Sequence, residues 1–378
     1  MFYHDDVVLN RGSAASFVKL LCSGLSRQFE VRLFVYTGIG HIDKVDMGDY
    51  TIYRVPRRIP NLSGFPGKLL NALAAHSPRL YKFSIETANP DRILCIDPYS
   101  GLTVGLLAWL RRSRVMYRPN DSLVTLGKSF ISVGRRVLGF ALVVYGMIAE
   151  GFLVKISEII LAPSTYSMQA FTAMFSVGQK LVFCPYVERP LRGAVNDKSL
   201  QRKRLGLPLT KVILLFLGST SWPPNEIAAK YIIDELAPYA ESRIPNAHFL
   251  LVGQGTESCK QLVHTNNVTV VGTVKSVEPY LEAADYGLAP LSLTGGIAAK
   301  IVSYLTAGLP TIATPEAART IELQKGLYVV KYDAFREAIA SIVERKEGLA
   351  DREDIARTAR LLYSYDHVMA RVLDRIRV

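Results

Sequence analysis

Patterns typical of strands and helices alternate along nearly the whole chain of 378 residues. Short apolar runs such as Arg92–Ile96 and Val212–Leu217 have the composition of buried strands, and stretches with helical spacing lie between such runs. Alternation of this kind is typical of a parallel sheet with helices on both faces. We therefore predict an α/β protein, and the length is sufficient for two domains of common size.

A change of composition near the middle of the chain suggests where the two domains separate. Residues 187–207 are polar, basic and broken by proline and glycine, which is typical of a linker. We predict an N-terminal Rossmann-like domain over residues 1–186 and a C-terminal one over 208–362. The last helix, about 363–378, is expected to join the N-terminal domain. Two doubly wound domains would then face a cleft, with ligands at the carboxyl ends of the strands.

The chain is basic, with 45 Lys and Arg against 33 Asp and Glu, which gives a net charge of +12. Residues 1–186 contain 21 basic and 12 acidic side chains, so most of the excess lies in that half. Such charge favours anionic lipid, nucleic acid or a phosphorylated small molecule. Bases alternate with Leu, Phe and Tyr in Arg54–Phe83, which suits an anionic membrane, although a solvated face is an equal alternative. No recognised nucleic-acid motif is present, so we do not expect nucleic-acid binding.

Three further features bear on location. The four cysteines are widely spaced and form no C-x-x-C motif, so we expect buried reduced thiols rather than a zinc site or a disulfide framework. No signal peptide is visible, and Val137–Ala149 is apolar for 13 residues, too short for a bilayer that needs roughly 20. We expect a buried or interface-lying helix there, and a cytoplasmic protein with optional peripheral contact to the inner membrane face. Met1–His4 has the pattern of the end of a strand whose beginning is missing.

The stretch Pro290–Thr314 predicts strand, glycine turn, helix and strand in succession. Gly295 and Gly296 lack side chains, so a ligand can approach the backbone closely. A helix is expected to begin just after them, and its free N–H groups attract phosphate. Lys300 lies about one turn into that helix and adds a positive charge. These residues predict a diphosphate site, and an ordinary βαβ crossover with glycine caps is the alternative.

The segment Leu214–Asn225 predicts a second part of the same site. The strand ends in Gly218 and Ser219, and a Trp-Pro-Pro turn follows. We expect Gly218 to leave room for a phosphate or a sugar, and Ser219 and Thr220 to offer hydroxyl donors. Asn225 is expected to cap the following helix. An ordinary strand-to-helix loop would have the same pattern.

Four segments taken together resemble a known family. FLGSTSWPPN, PNAHFLLVGQG, NNVTVVGTVKSVEPYLEAADYGLAPL and GGIAAKIVSYLTAGLPTIAT follow one another in the order and spacing of a group 1 (family 4-like) glycosyltransferase of the GT-B fold. The resemblance covers residues 160–330 well and the N-terminal half loosely. It implies transfer of a sugar from a nucleotide-sugar, with UDP as the expected nucleotide and no separate cofactor.

The resemblance also implies roles for individual residues in the C-terminal domain. Gly218 and Ser219 would lie near the donor phosphates, and Thr273 and Val274 would border the base through backbone groups. Gly295, Gly296 and Lys300 would hold the diphosphate. Lys300 would also stabilise the charge that develops on the leaving nucleoside diphosphate.

Two departures from the family pattern weaken this assignment. Many relatives carry two glutamates eight positions apart, and those positions are Gly295 and Ser303 here. Ser303 would bond a ribose hydroxyl more weakly than a carboxylate does. The usual Arg and Lys are also missing around Ser219–Pro224. A non-catalytic nucleotide-sugar-binding module therefore stays open, as does an epimerase of the same fold, which would need more acidic or histidine groups around the sugar.

The N-terminal half is expected to supply the acceptor site and a catalytic base. Val115–Thr125 predicts a strand that runs into a polar turn with Arg118 and Asp121. This segment resembles the Y-R-x-x-D segment of the xanthan-type glucuronosyltransferase, which implies that Asp121 is the base and that the reaction inverts the anomeric carbon. Arg118 would hold an acidic group or pair with Asp121. A helix-capping role for Asp121 is the alternative.

Residues Arg11 and Gly12 lie in a predicted strand–helix turn that resembles the family's first loop, which implies contact with the acceptor or the donor. His4 is a weaker candidate for the base. Retaining relatives use this half mainly to position the sugar, so both stereochemical outcomes stay open. The sequence contains no D-x-D motif and its six histidines are not clustered, so we expect no metal in catalysis.

Overall fold

The computed structural model describes eight ranges of the chain: residues 1–3, 13–37, 41–56, 78–119, 122–132, 134–187, 198–293 and 297–377. These residues form two compact α/β units. The first unit contains Met1–Val187 and Tyr365–Val378, and the second contains Glu188–Thr294 and Ala298–Ser364. Each unit is built on its own sheet, which confirms the prediction of two parallel-sheet α/β domains.

The sheet of the first unit has eight strands in the order β3-β4-β2-β1-β5-β6-β7-β8. All neighbouring strands are parallel except β3 and β4, which are antiparallel. The strands are β1 (Phe2–Tyr3), β2 (Arg32–Thr37), β3 (Asp43–Asp46), β4 (Thr51–Pro56), β5 (Arg92–Ile96), β6 (Arg114–Arg118), β7 (Ser157–Ala162) and β8 (Leu181–Phe183). The described α-helices of this unit are α1 (Ser13–Leu25), α2 (Pro78–Ala88), α3 (Pro98–Leu110), α4 (Leu123–Ser132), α5 (Arg136–Ile156), α6 (Thr165–Met174) and, at the C-terminus, α15 (Tyr365–Arg377).

The sheet of the second unit has six parallel strands in the order β11-β10-β9-β12-β13-β14. The strands are β9 (Val212–Leu217), β10 (Ala247–Val252), β11 (Val268–Gly272), β12 (Tyr286–Ala289), β13 (Thr311–Ala313) and β14 (Leu327–Val329). The described helices are α7 (Lys198–Arg204), α8 (Pro223–Tyr231), a π-helical turn (Ile232–Leu236), α9 (Ala237–Arg243), α10 (Glu278–Ala283), α11 (Ala299–Thr306), α12 (Pro315–Ala318), α13 (Phe335–Arg345) and α14 (Arg352–Tyr363). Short 3₁₀ turns cover Gly178–Lys180, Thr256–Leu262, Tyr332–Ala334 and Leu349–Asp351.

The strand order of the second unit creates a topological switch point between β9 and β12. The chain moves from β9 to β10 and β11 on one side, and then crosses to β12, β13 and β14 on the other. The loops that leave β9 and β12 therefore diverge and leave a crevice at the carboxyl ends of these two strands. In doubly wound sheets this crevice is where ligands bind.

The segment predicted as a linker differs from the prediction in its second half. Lys198–Arg204 forms α7, and Arg202 is buried, with its guanidinium donating to the carbonyl of Ala283 at 2.9 Å and pairing with the Asp285 carboxylate. The backbone N–H of Ile213 also donates to Asp285, at 2.8 Å. The basic composition of this segment thus reflects a buried ion pair that fastens α7 to the second unit.

The apolar segment Val137–Ala149 forms part of a longer helix than the sequence pattern predicts. Helix α5 continues through Glu150 to Ile156 and is 21 residues long. Glu150 does not end the helix because its carboxylate is buried and bonded: it accepts hydrogen bonds from the backbone N–H of Leu123 at 2.7 Å and from the hydroxyl of Ser122 at 3.2 Å.

Candidate functional site

Tyr304 of α11 forms the floor of the switch-point crevice of the second unit, between β9 and β12. The Tyr304 hydroxyl accepts a hydrogen bond from the backbone N–H of Leu217 at 2.7 Å and donates to the carbonyl of Leu288 at 3.2 Å, so it bridges the ends of β9 and β12. Its ring packs against Gly287, where a Cβ atom would lie 2.3 Å from a ring carbon. Only glycine fits there. These contacts fix α11, and with it the residues of its first turn, over the crevice.

Lys300 is the charged group that this arrangement presents. It lies in the first turn of α11, and its Nζ atom is 2.8 Å from Oδ1 of Asn225. The same Nζ lies 4.0 Å from the centroid of the Phe216 ring, a cation–π distance. Within the described ranges, no carboxylate lies at ion-pair distance from Lys300. Within the described part of the chain, the ammonium group is therefore oriented by neutral groups alone.

Burial changes the protonation of this lysine. The loss of hydration lowers the pKa of Lys300 from 10.5 to about 7. Burial disfavours the charged form of a lysine, and an anion placed next to it favours that form again. Without a bound anion, Lys300 therefore gains and loses its proton near pH 7. A diphosphate would stabilise the protonated lysine.

Asn225 links Lys300 to the loop after β9. Its Oδ1 atom accepts from Lys300, and its Nδ2 atom donates to the carbonyl of Ser219 at 3.0 Å. The prediction that Asn225 caps helix α8 is wrong. The helix begins at Pro223, with Trp222 at the cap position, because two prolines fit the first positions of a helix and start it earlier.

The space beside Gly218 is filled rather than open. A Cβ atom on Gly218 would lie 2.9 Å from Cγ of Asn225. The Cβ side of Gly218 is therefore occupied by Asn225, and a place for Gly218 near the donor phosphates stays a prediction. The sequence pattern correctly indicated a close approach, but the approaching group is a protein side chain.

The three loops after β9, β10 and β11 are tied to one another by backbone hydrogen bonds. The N–H of Gly218 donates to Val252 at 3.0 Å, and the N–H of Gly253 donates to Gly272 at 2.9 Å. Gly253 has a φ of +145°, and a Cβ atom on it would lie 2.2 Å from the Gly218 carbonyl oxygen. The loops thus form a rigid edge. The Ser219 hydroxyl is on the surface of this edge, 2.7 Å from that of Ser221.

Thr273 and Val274, predicted to border the base, lie just beyond β11. The N–H of Thr273 donates to Oε1 of Glu257 at 2.6 Å, so that donor is already used. Backbone N–H groups, including that of Thr273, lower the pKa of the Glu257 carboxyl. Val274 packs against the apolar core of the second unit. Glu257 was missed by sequence reasoning, because its partner is 16 residues away on another loop.

Ser303 lies one turn after Lys300 on α11 and is half-buried. Its hydroxyl donates to the carbonyl of Ala299 at 3.3 Å, within the helix. The two residues are three positions apart and share a face of the helix. A ligand bound by Lys300 would therefore pass close to Ser303.

Arg118 belongs to the core of the first unit. It is 2% exposed, its guanidinium lies 4.3 Å above the centroid of the Phe17 ring, and it donates to the carbonyl of Pro119. The capping groups at the start of α4 are Ser122 and Glu150, which bond the N–H groups of Thr125 and Leu123. The remaining predicted site residues lie outside the described residues: Arg11, Gly12, Asp121, Gly295 and Gly296.

A protein-family model matches the part of the chain that contains this site. The model of the family "Glycosyl transferases group 1" matches residues 211–345, which include β9–β14 and the Lys300 site. The chain carries a group 1 glycosyltransferase domain. No curated protein sequence matches the chain.

Solved structures of similar fold cover nearly all of this chain. Sucrose-phosphate synthase from Thermosynechococcus elongatus is 15% identical with a TM-score of 0.77, and the match covers 97% of this chain and 93% of that one. Anabaena HepE in complex with UDP-glucose is 13% identical with a TM-score of 0.72, covering 99% and 98%. WaaG, a glycosyltransferase involved in lipopolysaccharide biosynthesis, is 15% identical with a TM-score of 0.69, covering 97% of each. The fold of the chain is GT-B.

The described residues of the chain include no group of three or more His, Cys, Asp or Glu side chains that could hold a metal ion. All four cysteines are described, and each is a buried free thiol.

Proposed function

We propose that the chain transfers a sugar from a nucleotide-sugar, with UDP as the nucleotide, to a hydroxyl of a glycan or a lipid-linked acceptor. The observation that carries this proposal is Lys300, a half-buried lysine with no carboxylate partner among the described residues, at the switch point of a group 1 glycosyltransferase domain. HepE, which shares the fold, has been solved with UDP and with UDP-glucose.

The donor diphosphate would bind at the start of α11. Free N–H groups of a helix N-terminus and a lysine in its first turn form a suitable site for a diphosphate. Asn225 uses its amide oxygen to orient the Lys300 ammonium, and this leaves the remaining N–H bonds of Lys300 for phosphate oxygens. Ser303, on the same helix face, would bond a hydroxyl of the ribose.

The proposed reaction breaks the bond between the anomeric carbon and the diphosphate oxygen and forms a bond to the acceptor oxygen. The acceptor hydroxyl loses its proton to a base, for which Asp121 is our candidate, and this arrangement gives inversion. The electron pair of the broken bond remains on the nucleoside diphosphate, whose charge grows by about one unit next to Lys300. Fixed protein charges perform this stabilisation, and we propose that the reaction is metal-independent. Hexosyl and glucuronosyl transfer fit this scheme equally well.

One observation favours a second candidate, a non-catalytic nucleotide-sugar-binding module. The position that carries a ribose-binding glutamate in many relatives is Ser303, whose hydroxyl bonds within its own helix. Binding without transfer is the outcome that this candidate predicts.

The test begins with thermal shift of the purified chain against a panel of nucleotide-sugars, because a ligand that binds the native state raises apparent stability. Transfer is then measured with the donor that binds, as release of the nucleoside diphosphate that depends on acceptor. Lys300→Ala should lower turnover by about a hundredfold or more, the size expected for loss of one preorganised charge stabiliser. Lys230→Ala is the matched control, because Lys230 is a surface helix lysine paired with Glu226 at 2.8 Å. Wild-type turnover in Lys300→Ala contradicts the proposal, and binding without turnover in the wild type supports the binding module.

A cytoplasmic location, with peripheral attachment to the inner membrane face, follows from the proposed lipid-linked acceptor.

A further inference from the structure

Helix α5 exposes apolar side chains where a helix of a water-soluble domain normally carries polar ones. In the part of the chain that the structure describes, it is the one helix long and apolar enough to span a membrane by length and composition, with a mean hydropathy of 2.1. Only 39% of the most apolar 18-residue stretch of this helix is buried. Val137 is 88% exposed, Phe140 is 66% exposed and Ile148 is 62% exposed. A surface helix that is apolar on both faces requires a further explanation.

The packing of α5 against α4 explains why these side chains point outward. A Cβ atom on Gly127 or on Gly139 would lie 2.6 Å from the carbonyl oxygen of the other residue. Gly146 similarly meets the backbone N–H of Val124, at 2.9 Å from its Cβ position. The two helices therefore pack backbone to backbone through glycines. Val143 of α5 also meets Gly127 in this contact, whereas the exposed apolar side chains of α5 form a stripe on the opposite face.

The tip of the α4–α5 hairpin, residues 128–132 and 134–140, combines this stripe with positive charge. Lys128, Arg135 and Arg136 are all exposed, next to exposed Val137 and Phe140. Residues 122–156 contain one acidic side chain, Glu150, and it is buried. Large apolar side chains surrounded by Lys and Arg suit the boundary between headgroups and acyl chains of an anionic leaflet.

The hairpin tip projects from the edge of the sheet at which ligands are expected. Glu150 bonds the start of α4, just beyond the carboxyl end of β6, and α5 then leads down to the start of β7. The 14 residues from Glu150 back to Arg136 span about 21 Å of helix at 1.5 Å per residue. The tip therefore extends well beyond the carboxyl edge of the first sheet.

We propose that the hairpin tip docks into an anionic lipid surface, with α5 lying at the interface and Val137 and Phe140 inserted between headgroups. This orientation turns the carboxyl edge of the first sheet toward the membrane. A lipid-linked acceptor would present its hydroxyl at that edge directly from the leaflet; this consequence rests on the proposed function, whereas the docking surface does not. A second copy of the chain is a poorer occupant, because a twofold contact through this hairpin would offer its exposed Lys and Arg side chains no exposed acidic partner on the other copy's hairpin.

Vesicle co-sedimentation of the full chain tests the proposal. The wild type should bind vesicles of phosphatidylcholine with 30% phosphatidylglycerol roughly tenfold or more tightly than pure phosphatidylcholine vesicles, given two or three basic residues at the surface. Val137→Ser with Phe140→Ser should lower the partition coefficient roughly tenfold or more by removing the inserted side chains. Leu361→Ser, which changes an exposed leucine of the second unit, is the matched control and should bind as the wild type does.

A second measurement locates the tip within the lipid. Phe140→Trp should give a blue-shifted emission on anionic vesicles and quenching by lipids with brominated acyl chains. Equal vesicle binding by the double serine variant and the wild type would overturn the proposal. The proposal would also be overturned if the wild type bound no vesicles and formed a dimer in lipid-free solution that the double serine variant did not form. Nucleotide-sugar binding in lipid-free buffer should be unchanged in all these variants, so a failure of the donor proposal is distinguished from a failure of docking.

Discussion

Donor binding should be coupled to uptake of a proton by Lys300. With a pKa of about 7 in the empty site, roughly half of the Lys300 side chains are uncharged at pH 7. A diphosphate within about 4–6 Å raises the pKa of a neighbouring cation by about two units. The bound complex then holds the proton throughout the range from pH 6 to pH 8, whereas the empty site loses it within this range.

The size of the effect follows from these two pKa values. Binding should take up about 0.1 proton at pH 6, about 0.5 at pH 7 and about 0.8 at pH 8. The apparent affinity should therefore fall about tenfold between pH 6 and pH 8, or about 1.4 kcal/mol. A lysine with an ordinary pKa of 10.5 would give no change over this range.

Isothermal titration calorimetry measures this coupling when each titration is repeated in two buffers of different ionisation enthalpy. The ligand should be the UDP-sugar identified in the panel, because its diphosphate does not titrate between pH 6 and pH 8. Lys300→Met should bind more weakly and take up no proton, and Lys230→Met should behave as the wild type does. A wild-type affinity that is flat from pH 6 to pH 8, with no buffer dependence, would refute the proposed environment of Lys300.

Two further outcomes concern the scaffold of the second unit. Tyr304→Phe leaves the N–H of Leu217 and the carbonyl of Leu288 without their bridging hydroxyl. Urea unfolding should show a free energy of unfolding lower by about 1–3 kcal/mol, and donor binding should be weaker. An unchanged free energy of unfolding would contradict the bridging role. His248 is buried beside Thr269, and burial lowers its pKa from 6.5 to about 4, so the stability that its neutral form provides is present above pH 6.5 and is lost as the pH falls toward 4. The free energy of unfolding of the wild type should fall by up to about 3 kcal/mol between pH 6.5 and pH 4 because of this group, and that of His248→Gln should fall by less. An equal dependence of unfolding free energy on pH in the two proteins would exclude His248 as the cause.

The fold was predictable because its signals are local. The strands β5 and β9 occur where the sequence has short apolar runs, and their bounds, Arg92–Ile96 and Val212–Leu217, match the predicted ones. Both strands are buried on two faces, so a continuous apolar pattern identifies them without knowledge of their neighbours.

The predictions that failed depended on partners distant in sequence. The basic segment near Arg202 has the composition of a linker, and only the position of Asp285, 83 residues later, makes it a buried helix. The role of Asn225 depends on Lys300, 75 residues later. Local capping preference assigned Asn225 to the helix start, but the preceding prolines had already fixed that start.

The identity of residue 225 determines how much charge the site offers to a ligand. A carboxylate at this position would pair with Lys300, raise its pKa and neutralise it before any donor arrives. The amide of Asn225 orients the ammonium at 2.8 Å without cancelling its charge, and the Phe216 ring beneath it does the same. With both groups in place, burial still lowers the pKa of Lys300 to about 7, so a bound anion completes its protonation near neutrality. The site therefore gains its full charge as the donor binds, and that charge is what a diphosphate leaving group requires.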